Sequence, residues 1–246
     1  MKKKFLFIIL SIFLFVGKAY AVPTSQKAEL TVLMYHLLSD NTQEWSDFCI
    51  SPQMFENDIQ TLLKKGYTFI SPDELSSSVK RGKYALITFD DGYKSNYTKA
   101  LPILEKYKVP ALFFIVTDYI NDEGYLSEAE ISELSKNPYI TIGSHTDKIH
   151  NLTPEEVTQL FSSKNSYNNI INDVSASVSK LETLSGKPVK YLSYPYGIYL
   201  PTTDFILKQR LKGFITFSSN ESNVTLPNGF IAPLGRFNRN LNFQIK

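Results

Sequence analysis

The sequence predicts an α/β fold: a distorted (β/α) barrel of about seven parallel strands in a single domain. Three observations carry that reading. Short apolar segments rich in β-branched and aromatic residues recur along the chain, and helical patterns with recognisable starts lie between them. The apolar segments are nearly continuous rather than alternating, as strands buried on both faces of a parallel sheet read. The length of 246 residues fits one such barrel, which takes roughly 200 to 250 residues. With 43% hydrophobic residues, 20% charged, and only 11 Gly and 12 Pro, the composition is that of a folding chain rather than a disordered or collagenous one.

The elements follow in order. Lys2, Lys3 and Lys4 precede an apolar-rich run over residues 5–17, which ends near the small-x-small triplet Ala19-Tyr20-Ala21. The run is shorter than the roughly 18 residues a membrane-spanning helix needs, so residues 1–21 read as a secretory signal peptide. The alternative is an uncleaved anchor with Lys18 as its flanking charge. Either way the domain is exported, to a periplasmic, secreted or cell-envelope location, with membrane association open. A polar extension over 22–29 leads into the domain proper, residues 30–246.

The first strand is expected at 30–35. Ser51-Pro52 opens a helix with Met54, Phe55, Ile59, Leu62 and Leu63 at helical spacing, stopped by Gly66. A strand at 68–70, a short helix from Ser71-Pro72 and a strand at 84–89 follow. A helix over 97–107 carries Leu101, Leu104 and Tyr107 on one face. Strands at 111–116 and 140–142 come next. Thr153-Pro154-Glu155-Glu156 is a capping box that starts a long helical region towards Leu184. The Asn- and Ser-rich part of that region, 162–179, reads as an exposed helix face or a helix broken by a loop. Strands at 191–194 and 214–217 flank a helix at 204–212.

Charge and cysteine content exclude several classes. Removing the four lysines of residues 1–21 from the 26 basic residues leaves 22 against 24 acidic. A nearly balanced domain lacks the concentrated positive field that nucleic acid requires, so nucleic acid is not expected as a partner. The single Cys49 permits no disulfide framework and no Cys-paired zinc motif, and reads as a small buried hydrophobe. The 17 Phe and 15 Tyr supply core or, alternatively, a surface on which sugar rings stack. Oligomeric state has no signal in the sequence.

A barrel places its active site on the loops at the C-terminal ends of its strands. Three unusual turns fall there. Asp90 and Asp91 follow the strand at 84–89 within Thr88-Phe89-Asp90-Asp91-Gly92; adjacent carboxylates repel unless a cation or a division of labour compensates them. His145 and His150 lie in Ser144-His145-Thr146-Asp147-Lys148-Ile149-His150. Five residues on an ideal helix separate side chains by about 140°, so only a loop or distorted turn brings both imidazoles to one ion. Two imidazoles and a carboxylate make a three-ligand divalent metal site with room for water and substrate. Pro195-Tyr196-Gly197 closes a third turn. Each segment alone is compatible with an ordinary turn; the three together on one face are not.

In that order and approximate spacing, these segments resemble the signature motifs of the carbohydrate esterase family 4 polysaccharide deacetylases, over roughly residues 30–237. Leu33-Met34-Tyr35-His36 and the five-residue His separation are similar to the poly-N-acetylglucosamine deacetylase branch, where a motif found late in other members lies at the N-terminal end. The resemblance implies that Asp91, His145 and His150 bind one divalent metal, zinc first, with cobalt, nickel or iron as alternatives. It implies further that Asp90 is the general base and that Tyr196 offers its backbone N–H to the developing oxyanion, with Pro195 and Gly197 shaping that turn against substrate. His36 matches the branch's general acid; the alternative is a strand-end His. The family's Arg two places before the motif Pro is replaced by Ser193, and no Leu-x-His motif occurs near the C-terminus. Arg236 substitutes for the missing Arg or is a surface residue. The expected activity is hydrolysis of N-acetyl groups from N-acetylglucosamine units of a bacterial polysaccharide. The alternatives are an O-acetyl esterase on sugar or xylan and a weakly active glycan-binding module.

Overall fold

The computed structural model describes residues 28–77, 80–226 and 229–245. The expected signal peptide at 1–21 and all but the last two residues of the extension lie outside that range.

The chain runs β1 (Ala28–Tyr35), β2 (Leu37–Leu38), β3 (Cys49–Ile50), α1 (Pro52–Lys64), β4 (Tyr67–Phe69), β5 (Lys83–Phe89), α2 (Leu101–Tyr107), β6 (Ala111–Ile115), α3 (Glu128–Leu134), β7 (Ile140–Ser144), α4 (Pro154–Ser162), α5 (Tyr167–Ser185), β8 (Tyr191–Ser193), α6 (Pro201–Arg210), β9 (Ile215–Phe217), β10 (Val224–Leu226) and β11 (Phe237–Asn238). The seven expected strands are β1 and β4 to β9, all parallel. β1 pairs with β5 along its whole length, from Glu29 opposite Lys83 to Tyr35 opposite Phe89. β4 and β6 share the other edge of β5, the first near its start and the second near its end.

The barrel is closed by an irregular segment rather than an eighth strand. Leu234 bridges Phe217 of β9, its N–H donating to Thr216 O at 2.8 Å and its carbonyl accepting from Ser218 N at 2.9 Å. Three residues on, β11 pairs in parallel with Leu33 and Met34 of β1. Residues 234–238 therefore span from the last main strand to the first. Inside the barrel, Leu30 and Val32 of β1 meet Leu86, Leu112, Phe114, Tyr191, Ile215 and Phe217, all buried. The larger cluster, with Leu33, Phe55, Ile59, Leu62, Phe113 and Leu192, lies between sheet and helices.

Local chemistry explains the helix starts. Ser51 accepts from Met54 N at 3.0 Å and Pro52 sits in the first turn of α1. The box at Thr153 and Glu156 caps α4 as the sequence predicts, and Ser127 with Glu130 caps α3 in the same way. The long helical region is broken: α4 ends at Ser162, a 3-10 turn covers Lys164–Ser166, and α5 begins at Tyr167. The predicted helix at 97–107 is likewise a π-helical turn, Asn96–Ala100, followed by α2.

Candidate active site

Three non-glycine residues at strand ends adopt left-handed backbone conformations: Asp91 (φ 71°) after β5, Thr146 (φ 70°) after β7 and Tyr196 (φ 56°) after β8. Such conformations cost of order 1–3 kcal/mol each and persist only where the surroundings enforce them. All three belong to the turns singled out in the sequence, and they converge on one cavity of about 480 Å³ at the C-terminal ends of the strands. His36, Asp90, Asp91, His145, His150 and Tyr196 line it, together with Gly197 and Arg236.

Asp90 is buried at the end of β5, its backbone N–H donating to Tyr35 O at 2.9 Å. Arg236 grips its carboxylate with both guanidinium arms, at 2.6 Å to Oδ1 and 2.8 Å to Oδ2. The same guanidinium donates to Ser193 Oγ at 2.7 Å and to Ser218 O at 3.1 Å, and lies 5.3 Å over the Phe114 ring. Ser193, standing where the family pattern has arginine, donates to Asp90 Oδ2 at 3.2 Å. At 1% exposure Arg236 is no surface residue. Its placement needs Gly235: a Cβ there would lie 2.2 Å from Asn220 O. Burial pushes the Asp90 carboxyl up, but the Arg236 guanidinium, aided by His145, overrides it and holds Asp90 well below the usual carboxylate range. The ionised form of Asp90 is thus favoured.

His145 Nδ1 lies 2.9 Å from Ser193 O. A carbonyl only accepts, so Nδ1 carries the proton and Nε2 presents a lone pair to the carboxylates. Burial lowers the His145 pKa to about 4, keeping the ring neutral. Its Nε2 is 3.5 Å from Asp91 Oδ1, and His150 Nε2 is 3.3 Å from the same oxygen. Burial also pushes Asp91 up, and the hydrogen bond from His150 with the His145 interaction outweighs it. The ligand atoms of Asp91, His145 and His150 all lie within 4.8 Å of one another. Atoms roughly 2.0–2.2 Å from a tetrahedral ion stand about 3.3–3.6 Å apart, and the two separations from Asp91 Oδ1 fall in that range, so the donor set suits one divalent cation. Asp147 is outside it, accepting from Thr117 Oγ1 at 2.6 Å.

The Tyr196 ring stacks on His150 at 5.5 Å and 25°, and its hydroxyl donates to Leu152 O at 2.9 Å. Pro195 is buried beneath this turn. Gly197 (φ 70°) is obligatory, because a Cβ would meet Ser219 Oγ at 1.9 Å and Ser219 N at 2.6 Å. His36 follows β1 and meets Phe48 edge-on at 5.0 Å; its Nδ1 is buried without a hydrogen-bond partner among the described residues. Burial lowers the His36 pKa, opposed in part by Asp90 and Asp91.

Of the two alternatives the sequence offers for residues 162–179, the break by a loop is present at 163–166, and the exposed face fails for part of α5. Ser177 of α5 is instead fully buried against Ser144, and Asp173 binds the loop that carries His150. Their four-residue helical spacing is the only signal the sequence offers.

The profile of the family described as polysaccharide deacetylase matches residues 77–210, and the chain belongs to that family. It is 31% identical over 167 residues to a poly-beta-1,6-N-acetyl-D-glucosamine N-deacetylase of Staphylococcus aureus, a match covering 64% of this chain and 57% of that protein. Among solved structures, IcaB from Ammonifex degensii superposes with a TM-score of 0.77 at 28% identity, covering 88% of this chain and 94% of its own. A de-N-acetylase from Aggregatibacter actinomycetemcomitans shares the fold, with a TM-score of 0.76 at 20% identity and coverage of 88% and 97%.

Proposed function

We propose that the chain is a metal-dependent polysaccharide N-deacetylase, hydrolysing N-acetyl groups of N-acetylglucosamine units in a bacterial polysaccharide and releasing acetate. The observation that carries the proposal is the convergence of Asp90, the Asp91–His145–His150 set and His36 on one cavity. The likeness to the Staphylococcus aureus protein and to IcaB supports an N-acetylglucosamine polymer as substrate.

Asp91, His145 and His150 would hold one divalent ion, zinc first. Bound there, such an ion lowers the pKa of water towards about 7 and polarises a carbonyl. Asp90, ionised and fixed by Arg236, takes the proton of the attacking water. The backbone N–H of Tyr196, in the left-handed turn between Pro195 and Gly197, would donate to the oxygen on which negative charge develops. His36 delivers the proton that the departing amine requires. The polysaccharide enters beside exposed rings: Phe48 (58% exposed) and Tyr196 (45%) flank the cavity.

Export is proposed from residues 1–21; no helix among the described residues is long and apolar enough to cross a membrane. One observation favours a second reading. The lowered pKa of His36 weakens its hold on a proton, and an ester needs less protonation of its leaving group than an amide, so O-acetylated sugars are the alternative substrates. The binding-module reading rested on a missing tether, and Arg236 on Asp90 removes that motive.

The test is acetate release from N-acetylglucosamine oligomers by protein stripped with chelator and reloaded with zinc, cobalt or nickel. Release that returns with metal is the expected result. Release from O-acetylated sugars alone selects the ester reading, and silence on both ends the enzymatic one.

A further inference from the structure

Helix α5 carries a polar stripe, Asp173, Ser177 and Lys180, at positions i, i+4 and i+7 of one helix face, and each member turns towards the strand ends of the site. The Asp173 carboxylate collects three successive backbone N–H groups. Asp147 donates to Oδ1 at 2.9 Å, while Lys148 and Ile149 donate to Oδ2 at 2.8 and 3.1 Å. Ser177 Oγ hydrogen bonds Ser144 Oγ at 2.8 Å, and Ser144 Oγ accepts from Thr146 N at 3.1 Å. Lys180 Nζ donates to Thr117 O at 2.9 Å, and Thr117 ties back to the same loop through its N–H to Thr146 O at 3.1 Å. Every backbone group contacted lies in the loop between His145 and His150 or in the strand end beside it.

That loop has a difficult task. Its two imidazoles are five residues apart, a separation that an ideal helix would turn to different sides. The chain solves this with a left-handed residue, Thr146, and a turn whose amides at 147, 148 and 149 all point inward before the short 3-10 turn Ile149–Asn151 presents His150. Three convergent N–H groups form a concave anion nest, part-buried at Asp147 and Ile149 and open to solvent at Lys148. An anion in it holds all three donors at once and fixes the turn. Asp173 is that anion, built into the fold.

We infer that Asp173, backed by Ser177, is the positioning residue of the Asp91–His145–His150 set, fixing the loop so that His150 Nε2 stands 3.3 Å from Asp91 Oδ1 before an ion arrives. The inference rests on reading those three residues as metal ligands. Ligand geometry set in advance spares the ion the cost of ordering the loop, so affinity is where the effect appears.

The experiment compares chelator-stripped wild type with Asp173→Asn and Asp173→Ala. Zinc affinity is measured by calorimetry, the ligand field by the visible spectrum of the cobalt form, and the fold by thermal denaturation of the stripped protein. Asp173→Asn, which turns an amide NH₂ onto backbone N–H groups, is expected to weaken zinc binding by about 10–100-fold and to change the cobalt spectrum. Excess metal should then restore acetate release, which it would not do for a lost base. Wild-type affinity and spectrum in a variant with lowered melting temperature would make Asp173 a structural residue only and overturn the inference. Should Asp173→Ala fail to fold, Ser177→Ala decides: a few-fold loss of zinc affinity is expected, and no loss counts against the stripe. A wild-type protein that binds no ion refutes the ligand reading itself, whereas binding that is indifferent to all these variants refutes the inference alone.

Discussion

His145 and His36 line the same cavity, and the fold treats their Nδ1 atoms differently. His145 Nδ1 is committed to Ser193 O, which belongs to a network that also contains Arg236 and Asp90. His36 Nδ1 has no partner among the described residues, and the ring rests edge-on against Phe48. A tied imidazole keeps one tautomer and one charge state, which suits a ligand. An untied one can gain and lose a proton during each turnover, which suits an acid. Polar restraint lies on the proposed ligand, and apolar contact on the proposed acid.

The sharpest way to break this contrast is Asp90→Asn, which removes the proposed base and leaves the donor set. Acetate release should fall by about 10⁴-fold while zinc affinity stays near wild type; retained activity would end the assignment of Asp90. Next comes Arg236→Met, which strands a buried carboxylate and should cost about 3–5 kcal/mol in denaturant unfolding. A cost below about 1 kcal/mol would mean that Asp90 is held by Ser193 alone. His36→Gln tests the other side: a fall of about 10²-fold in rate with unchanged metal content is expected, and loss of metal would make His36 a ligand instead.

The smallest effect sharpens the comparison through pH. An unfolded His145 binds its proton near pH 6.5, but burial holds the folded one to about 4, so the unfolded state carries more protons between those values. The stripped protein should therefore lose stability as pH falls from about 6.5 to about 4, by at most about 1.4 kcal/mol per pH unit from this residue, and gain no further loss from it below that. His145→Asn should flatten the slope in a series of melts; an unchanged slope would place the proton uptake elsewhere.

Much of this was legible in the sequence, for identifiable reasons. Strands β1, β5 and β6 read clearly because they are buried on both faces, and Asp90, Asp91 and His145 stand directly after strands, with His150 in the loop that follows β7, where a barrel collects its chemistry. Ser127 and Glu130 carry the same capping pattern as Thr153 and Glu156, yet α3, only seven residues long, is absent from the sequence expectations. Arg236 is of another kind. It meets Asp90 across 146 residues, and only the β9–β1 closure sets its direction. Two-residue β11 is too short for any periodicity to show. Asp173 and Ser177 misled because polarity ordinarily marks a solvated helix face, and here it marks the face turned towards the site.

The segment over 234–238 joins two jobs, since the residues that close the barrel also deliver Arg236. Closure pairs β11 with β1, about two hundred positions earlier in the chain, and contacts of such long range form late because the intervening loop must be ordered before they repay it. Asp90 thus waits for its counter-ion until the rest of the sheet is in place. Acetate release during refolding should lag the return of helical signal, and hydrolytic competence becomes a mark of finished topology rather than of local structure.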